Sequence, residues 1–161
     1  MSGIELRGLR AADKDPIGRI LRATGVFYEE EVAVGLELAD IALTKPAQTD
    51  YIFLCADVEG RLAGYACYGP IPMTDRCYDL YWIAVDPALH GRGVGKALIA
   101  GMEKDLRSRG ARKVFLDTAG RDAYAPTRKF YEAIGYTVAA RLAGFYRADD
   151  DKVVYTRDLQ A

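Results

Sequence analysis

The first part of the chain shows alternating and helical patterns of apolar residues, which predict a strand followed by two helices. Ile4 and Leu6 alternate with polar neighbours, as in a half-buried strand. The next apolar residues recur at helical spacing, with Asp13 as the predicted N-cap and Gly25 past the helix end. A second helix is predicted from the acidic run 29–31, because the helix dipole favours acids at its start.

The middle of the chain predicts three strands. Residues 50–58 and 61–68 are rich in apolar and β-branched residues, and Glu59-Gly60 between them predicts a hairpin turn. Residues 80–85 form a short apolar run, which suits a central strand that is covered on both faces. Asp86-Pro87 ends this run.

The last part of the chain predicts two helices and three further strands. From Val94 the apolar residues recur every fourth position, which predicts an amphipathic helix that Gly110 closes. The second helix has Pro126 near its first position and Gly135 past its end. The strands are predicted at residues 113–118, 136–143 and 152–159. The order β-α-α-β-β-β-α-β-α-β-β describes a mixed α/β fold with about seven strands and four helices.

Composition limits the classes of partner. The chain has 161 residues, half of them hydrophobic, which predicts a single domain over residues 1–161 with a sizeable core. A formal net charge of −1 argues against nucleic acid or an anionic membrane as a partner. One histidine and three cysteines without ligand spacing predict no metal site. The odd number of cysteines suits free thiols in a reducing compartment. No apolar run is long enough to cross a bilayer, and the N-terminus has no apolar core of a signal peptide. These features predict a cytoplasmic protein.

Three glycines follow the predicted central strand, in the segment 91–96 with the sequence Gly-Arg-Gly-Val-Gly-Lys. Glycine-rich backbone at a helix start lets N–H groups approach an anion closely, and the helix dipole adds to the attraction. The basic residues Arg92 and Lys96 make the local field positive. The segment therefore predicts a pyrophosphate site, although the same glycines also suit a tight turn. A P-loop enzyme is disfavoured, because the Lys-Ser/Thr ending is missing.

This loop resembles the acetyl-CoA signature of the GNAT superfamily of N-acetyltransferases, in which Gln or Arg is followed by two variable positions, Gly, one variable position and Gly or Ala. The matching positions are His90, Gly93 and Gly95, so His90 departs from the usual first residue. A second stretch, 127–136, is similar to the later helix of the family, with Tyr131 near its end; the Asn that often precedes this helix is missing. The chain is also somewhat similar to ribosomal-protein alanine N-acetyltransferases.

The resemblance implies a GNAT-like, mostly antiparallel sheet and acetyl-CoA (coenzyme A) as the cofactor. Two central strands of this fold splay apart to admit the cofactor. The residues that the resemblance assigns to cofactor binding lie on the central strand, in the glycine loop and on the later helix: Ile83, Ala84, Val85, Gly91, Arg92, Gly93, Val94, Gly95, Lys96, Thr127 and Phe130.

Acetyl transfer from a thioester to an amine needs an uncharged amine, stabilisation of the oxyanion and a proton for the departing thiolate. Tyr131 occupies the position of the family's general acid, and a phenol with a pKa of about 10 can protonate a thiolate. Its helical spacing with Phe130 and Ile134 also suits a core residue. The resemblance assigns the oxyanion contact to a backbone N–H near Ala84 or Val85.

Two carboxylates are candidates for the general base. Asp79 opens the central strand where protein-lysine acetyltransferases of the superfamily carry a Glu, and Asp117 ends the next strand where ribosomal-protein alanine acetyltransferases carry theirs. Either also suits a cap or turn, and Asp79 is the favoured base. Covalent transfer through Cys77 is disfavoured, because the only histidine, His90, is assigned to the loop.

The acceptor is predicted to be a small-molecule or peptide amine that attacks directly in a ternary complex. Two acidic segments flank the acceptor side of the resembled fold: Tyr28 with Glu30 and Glu31, and Tyr146 with residues 149–151. They predict a cationic acceptor, although acids also suit helix starts and surface turns. The family further suggests a homodimer. The alternative function is a non-catalytic acyl-CoA-binding module of the same fold.

Overall fold

A computed structural model describes residues 3–160 of the chain, and its elements follow the predicted order. The strands are β1 (Ile4–Arg7), β2 (Ile52–Val58), β3 (Arg61–Pro70), β4 (Cys77–Val85), β5 (Lys113–Ala119), β6 (Thr137–Arg147) and β7 (Asp150–Asp158). The helices are α1 (Lys14–Ala23), α2 (Glu29–Thr44), α3 (Val94–Ser108) and α4 (Ala125–Ala133). The mixed α/β fold class predicted from the sequence is confirmed.

Hydrogen bonds between neighbouring strands give the order β1-β2-β3-β4-β5-β7-β6. β1, β2 and β3 pair in antiparallel fashion, as do β5, β7 and β6, whereas β4 and β5 are parallel. The chain divides into two compact units, the first with residues 3–69 and 81–105 and the second with residues 70–80 and 106–160. β4 begins in the second unit and ends in the first.

In the first unit, α1 and α2 pack on one face of the strands and α3 packs on the other. The α1–α2 face buries Ile20 and Leu21 together with Cys55 and Tyr65 of β2 and β3. On the opposite face, a Cβ added to Gly101 of α3 would come within 2.6 Å of a Leu6 methyl carbon and 2.9 Å of a Leu54 methyl carbon. The helix therefore lies close to β1 and β2, and a larger residue at position 101 would require the two leucine side chains to move.

Arg7 joins two buried carboxylates in the first unit. Its guanidinium donates to Asp13 at 2.8 Å and to Asp57 at 2.7 Å, and the two acids are 4% and 7% exposed. Asp13 does precede α1, but its carboxylate accepts no hydrogen bond from the helix and instead accepts the Arg10 amide at 2.7 Å. The expected capping role was therefore wrong, because the half-buried Arg7 draws the carboxylate away from the helix.

The hairpin between β2 and β3 confirms the predicted turn. Glu59 and Gly60 have φ values of 52° and 75°, both in the left-handed region that this type of hairpin turn needs. β4 starts at Cys77, earlier than the apolar run suggested. Asp79 consequently lies inside the strand, paired with Phe115 of β5, and not at the strand opening.

In the second unit, α4 packs on one face of β5 and β7, and β6 forms the edge of the sheet. Every residue of β6 is exposed, including Val138 and Leu142. The acids Asp150 and Asp151, expected in a polar loop, belong to β7. The connection between β6 and β7 is therefore shorter than predicted. The carboxylate of Asp150 is buried and accepts the Arg121 amide at 3.1 Å.

The three cysteines, Cys55, Cys67 and Cys77, are free thiols and all are buried. Burial raises the pKa of the Cys55 thiol to about 12, and the nearby Asp13 carboxylate adds to the effect. None of the helices within residues 3–160 is both long and apolar enough to cross a membrane.

Candidate active site

The loop between β4 and α3 carries two glycines in the left-handed region of backbone space. Gly91 has a φ of 78° and Gly93 a φ of 83°, values that residues with a Cβ adopt only at a cost. A Cβ added to either glycine would meet no heavy atom within 4 Å, so the loop surface is open. The first hydrogen bond of α3 runs from the Ala97 amide to the Gly93 carbonyl at 2.9 Å. The amides of residues 94–96 precede it, at the position where helices present N–H groups to anions.

The charge around this loop is positive. Arg92 and Lys96 are exposed, and neither side chain forms a salt bridge within residues 3–160. His90 is also exposed, and its backbone N–H donates to the Pro87 carbonyl at 3.3 Å. Open glycine backbone, a helix start and two basic side chains together have the chemistry that a pyrophosphate needs.

Tyr131 on α4 lies in a group of aromatic rings in the second unit. Its ring centroid is 5.4 Å from that of Phe130, 5.8 Å from Tyr136 and 5.9 Å from Tyr155, and the residue is 4% exposed. Burial raises the pKa of the Tyr131 phenol above its ordinary value. The hydroxyl is therefore fully protonated at neutral pH, which a proton donor requires, while the ring has the packing of a core residue.

The start of α4 is tied to the end of β5 by an arginine. Arg128 donates to the Ala119 carbonyl at 2.7 Å and to the Arg121 carbonyl at 3.0 Å. Thr127 and Phe130, which the sequence assigns to cofactor binding, flank it and are half-buried. Arg128 thus fixes the helix turn that carries both residues.

Asp79 and Asp117, the two candidate bases, lie on the same face of the second unit. Asp79 is paired with Phe115 across the parallel strands β4 and β5, and Asp117 follows two residues later on the same side. Burial raises the pKa of the half-buried Asp79 carboxyl to about 6; the Asp117 carboxylate adds to the shift and Lys152 opposes it. A carboxyl with this pKa is suited to accept a proton near neutral pH.

Tyr131 lies on the opposite face from these carboxylates. Leu116 is paired with Tyr155 across β5 and β7, and the Tyr131 ring packs on Tyr155. Asp117 follows Leu116 directly, so strand alternation turns its side chain to the other side. The structure therefore brings the two candidate bases together and separates them from the candidate acid by the thickness of the strands.

The end of β4, assigned to the oxyanion contact, is held by a close approach of two strands in the first unit. A Cβ added to Gly64 of β3 would come within 2.7 Å of the Ala84 carbonyl oxygen and 3.2 Å of the Val85 Cα. The Asp86 amide donates to the Ala63 carbonyl at 2.7 Å just beyond. Glycine at position 64 thus sets where Ala84 and Val85 lie.

Most of the acids assigned to acceptor binding already have partners. Glu29 pairs with Arg22 at 2.9 Å, and the Glu31 carboxylate accepts the Tyr28 amide at 2.7 Å, which caps α2. In this first acidic segment only Glu30 is an exposed acid without a salt bridge to another described residue.

The second acidic segment is similarly engaged. Asp151 accepts the Arg141 guanidinium at 2.8 Å and the Gly144 amide at 2.9 Å. Tyr146 is exposed, with its ring 5.1 Å from that of Phe145. These hydrogen bonds form the hairpin of β6 and β7, so local structure accounts for much of the acidic pattern.

Lys152 is the residue at this site that the sequence did not indicate. Its Nζ lies 3.2 Å from an Asp117 carboxylate oxygen and 4.5 Å from the centroid of the Phe145 ring. Its partner is distant in sequence, and only the register between β5 and β7 brings the two together.

Among residues 3–160, no group of three or more His, Cys, Asp or Glu side chains is placed to hold a metal ion.

Comparison with known proteins gives a consistent assignment. The family model "Acetyltransferase (GNAT) family" matches residues 19–136. Glucosamine 6-phosphate N-acetyltransferase from Trypanosoma brucei brucei is 30% identical over 138 residues, which cover 83% of this chain and 90% of that protein.

Solved structures are similar to this chain over almost its full length. A GNAT-family protein from Desulfovibrio desulfuricans is 42% identical with a TM-score of 0.94, and the match covers 98% of this chain and 99% of that one. The ribosomal-protein-S18-alanine N-acetyltransferase from Escherichia coli, at 18% identity and a TM-score of 0.77, covers 98% of this chain and 95% of its own and shares the fold.

Proposed function

The chain belongs to the GNAT family of acetyltransferases, and we propose that it transfers an acetyl group from acetyl-CoA to a primary amine. The observation that carries this proposal is the open glycine loop at the start of α3, with Gly91 and Gly93 in the left-handed region and two basic side chains beside it. Family membership disfavours the alternative of a non-catalytic acyl-CoA-binding module.

We propose that the amides of residues 94–96 bind the pyrophosphate of the cofactor, with Arg92 and Lys96 adding positive charge. The strand residues Ile83, Ala84 and Val85 would lie along the pantetheine arm, and Thr127 and Phe130 of α4 would contact the cofactor as the family resemblance implies. Bound acetyl-CoA supplies the acetyl thioester. All other groups in the proposed reaction are residues of this chain.

The proposed reaction is balanced in atoms and protons. A bond forms between the amine nitrogen and the acetyl carbon, and the bond from that carbon to sulfur breaks. The proton lost by nitrogen passes to Asp79 through intervening water, because Asp79 lies on the opposite face of the strands from Tyr131. Tyr131 donates a proton to the departing thiolate. Exchange with solvent then returns both side chains to their starting states. A backbone N–H near Ala84 or Val85 stabilises the charge that develops on the carbonyl oxygen.

The acceptor is proposed to arrive as an ammonium ion and to release one proton to solvent before the neutral amine attacks. Glu30 is exposed and forms no salt bridge with another described residue, and Tyr28 near it is 44% exposed. We propose that Glu30, with Glu31, Tyr28 and Tyr146, attracts a cationic acceptor. An amino sugar phosphate is the second candidate, because the trypanosomal relative is named for glucosamine 6-phosphate.

We also propose a cytoplasmic location and a homodimer. Three buried free thiols suit a reducing compartment. The exposed edge strand β6, with Val138 53% exposed, is the surface that a second copy could cover. Light scattering on the intact chain and on Val138→Lys tests the dimer, since a lysine on this edge should leave a monomer.

A single experiment tests the proposed activity. Thiol release from acetyl-CoA is followed with a panel of polyamines, amino sugars, amino sugar phosphates and peptide amines. An acetyltransferase releases thiol with at least one acceptor above the rate of hydrolysis. A binding module would bind coenzyme A in calorimetry and release no thiol with any acceptor.

A further inference from the structure

One face of the second unit carries a row of charged side chains from three neighbouring strands. Asp79 projects from β4, Asp117 from β5 and Lys152 from β7. Lys152 is paired with Ala119 across β5 and β7, two residues beyond Asp117, so the lysine and both carboxylates share one side of the sheet.

The lysine is held in place by two contacts. Its Nζ lies 3.2 Å from the Asp117 carboxylate and 4.5 Å above the Phe145 ring, and its side chain is 21% exposed. An ammonium group between a carboxylate and an aromatic face is attracted by both. The lysine is half-buried, but the Asp117 side chain is 47% exposed, so solvent still screens part of the attraction.

The pairing has different consequences for the two carboxylates. Asp117 forms the direct ion pair, whereas Asp79 is more deeply placed and forms no salt bridge with another described residue. Other charges of the second unit are engaged elsewhere: Lys113 on β5 lies 3.4 Å from Asp158, and Arg141 on β6 pairs with Asp151 at 2.8 Å. Lys152 pairs with Asp117 directly, and its charge also lowers the pKa of Asp79 against the opposing effects of burial and of Asp117.

We infer that Lys152 is a positioning residue whose ion pair with Asp117 leaves Asp79 as the carboxylate that accepts the proton of the amine. This inference rests on the proposed acetyl transfer. Without a cation, the negative charge of Asp117 would act unopposed on Asp79 and would raise the pKa of Asp79 further. Lys152 opposes this effect through the carboxylate with which it pairs, so the Asp79 carboxylate stays available to accept a proton.

The test is a carboxyl titration by carbon-13 NMR on the full chain, which needs no catalytic activity. Lys152→Met should raise the titration midpoint of Asp79 by about one pH unit, because the attracting charge is lost. Lys152→Arg should restore a midpoint close to that of the unchanged chain. Lys113→Met is the matched control, since Lys113 also pairs with an aspartate and lies 5.7 Å above the Phe115 ring, and it should leave Asp79 unchanged.

Kinetics supply the second readout. The acidic limb of kcat/KM should follow the Asp79 midpoint in Lys152→Met and in Lys152→Arg. An Asp79 midpoint that is the same in Lys152→Met and the unchanged chain would overturn the inference, as would an acidic limb that does not move with that midpoint. Absence of acetyl transfer by the unchanged chain would reject the proposed function alone, because the NMR titration would still report the coupling.

Discussion

The Tyr131 ring lies 5.9 Å from the Tyr155 ring, and the two residues differ in what their hydroxyls do. The Tyr155 hydroxyl donates to the Glu132 carboxylate at 3.3 Å, whereas Tyr131 is the proposed acid. Tyr131→Phe should lower kcat by about 100-fold or more, since the proton for the leaving thiolate is lost while the ring still packs. Steady-state kinetics with calorimetry for acetyl-CoA checks this. Tyr155→Phe is the matched control, and equal turnover in both variants would make Tyr131 a core residue.

The glycine loop gives a test of cofactor binding. Gly95→Asp puts an acid in the first turn of α3, where the helix dipole tolerates it, so the fold should persist. The same carboxylate repels a pyrophosphate, and the Kd for coenzyme A should rise by about tenfold or more, the equivalent of about 1.4 kcal/mol. Lys104→Asp, on an exposed position further along the same helix, should have little effect on the calorimetric Kd. Similar increases of the Kd in both variants would mean that the net charge of the protein, and not the glycine loop, determines the affinity for coenzyme A.

The ionised carboxylate of Asp79, which the proposed reaction needs, should lower the stability of the folded state. Its pKa is raised to about 6 from an ordinary value near 4, so the folded state holds the proton more tightly than the unfolded state does. Stability therefore falls as pH rises from about 4 to about 6 and stays lower above. Because solvent screens this half-buried group, Asp79→Asn should raise the free energy of unfolding by about 1 kcal/mol at pH 8.

The gain from Asp79→Asn should vanish at pH 4, where both forms are neutral, and activity should be lost at every pH. Urea unfolding at pH 4, 6 and 8 gives the measurement. Asp158→Asn is the control, since it removes an exposed carboxylate of the same unit. A gain that does not change with pH would contradict the assignment of a raised pKa to Asp79.

Arg7 should be among the residues most important for folding. Arg7→Met leaves Asp13 and Asp57 buried together without a cation, which should cost about 3–5 kcal/mol at pH 7. Although burial pushes the Asp13 pKa up, hydrogen bonds from Arg7 and the Arg10 amide outweigh it and lower the pKa. The Arg7 contribution is therefore complete above the ordinary aspartate pKa and is lost as pH falls through the lowered one.

The stability lost in Arg7→Met should consequently become smaller below about pH 4, as Asp13 becomes protonated. Urea unfolding at pH 7 and pH 3 checks this. Arg22→Met removes an arginine that pairs with Glu29 at the surface and should change stability little at either pH. An Arg7 deficit as small as the Arg22 deficit would mean that the buried network contributes no more than an exposed pair.

The acceptor site can be tested with two glutamates of one helix. Glu30→Gln should raise the acceptor KM about two- to fivefold at low ionic strength, because an attracting charge is lost, and the effect should fade with added salt. The KM for acetyl-CoA should stay constant. Glu37→Gln, also exposed on α2 but further from its start, is the matched control. Identical behaviour of the two variants, or a best acceptor that is an amino sugar phosphate, would reject attraction by Glu30.

The sequence predicted the elements well because their signals are local. Helical spacing from Val94, the left-handed pair Glu59-Gly60 and the short run before Asp86 each depend on residues a few positions apart. For the same reason the glycine loop could be recognised, since the backbone conformation that Gly91 needs is encoded at that position. Prediction from local sequence failed for side chains whose contacts depend on a partner that is distant in the sequence.

Three side chains illustrate this limit. Asp13 looked like a cap, but Arg7 and through it Asp57, 50 positions further along the chain from the arginine, determine its orientation. Asp151 looked like a solvated turn residue, but it accepts Arg141 and the Gly144 amide. Lys152 gave no signal, because its partner depends on the register of β5 and β7. Charged partners between strands become visible only when the pairing of the strands is known.

The three buried cysteines can be used to measure local opening of the native protein, because each thiol is protected while the structure around it is closed. Cys55 and Cys67 lie on β2 and β3 of the first unit, and Cys77 begins β4 in the second. An alkylating reagent reaches each sulfur only while the surrounding structure is open, so the rate of labelling measures how often that part opens. Timed labelling followed by peptide mass spectrometry would rank the two units by local stability in a single sample, without substitution or added dye.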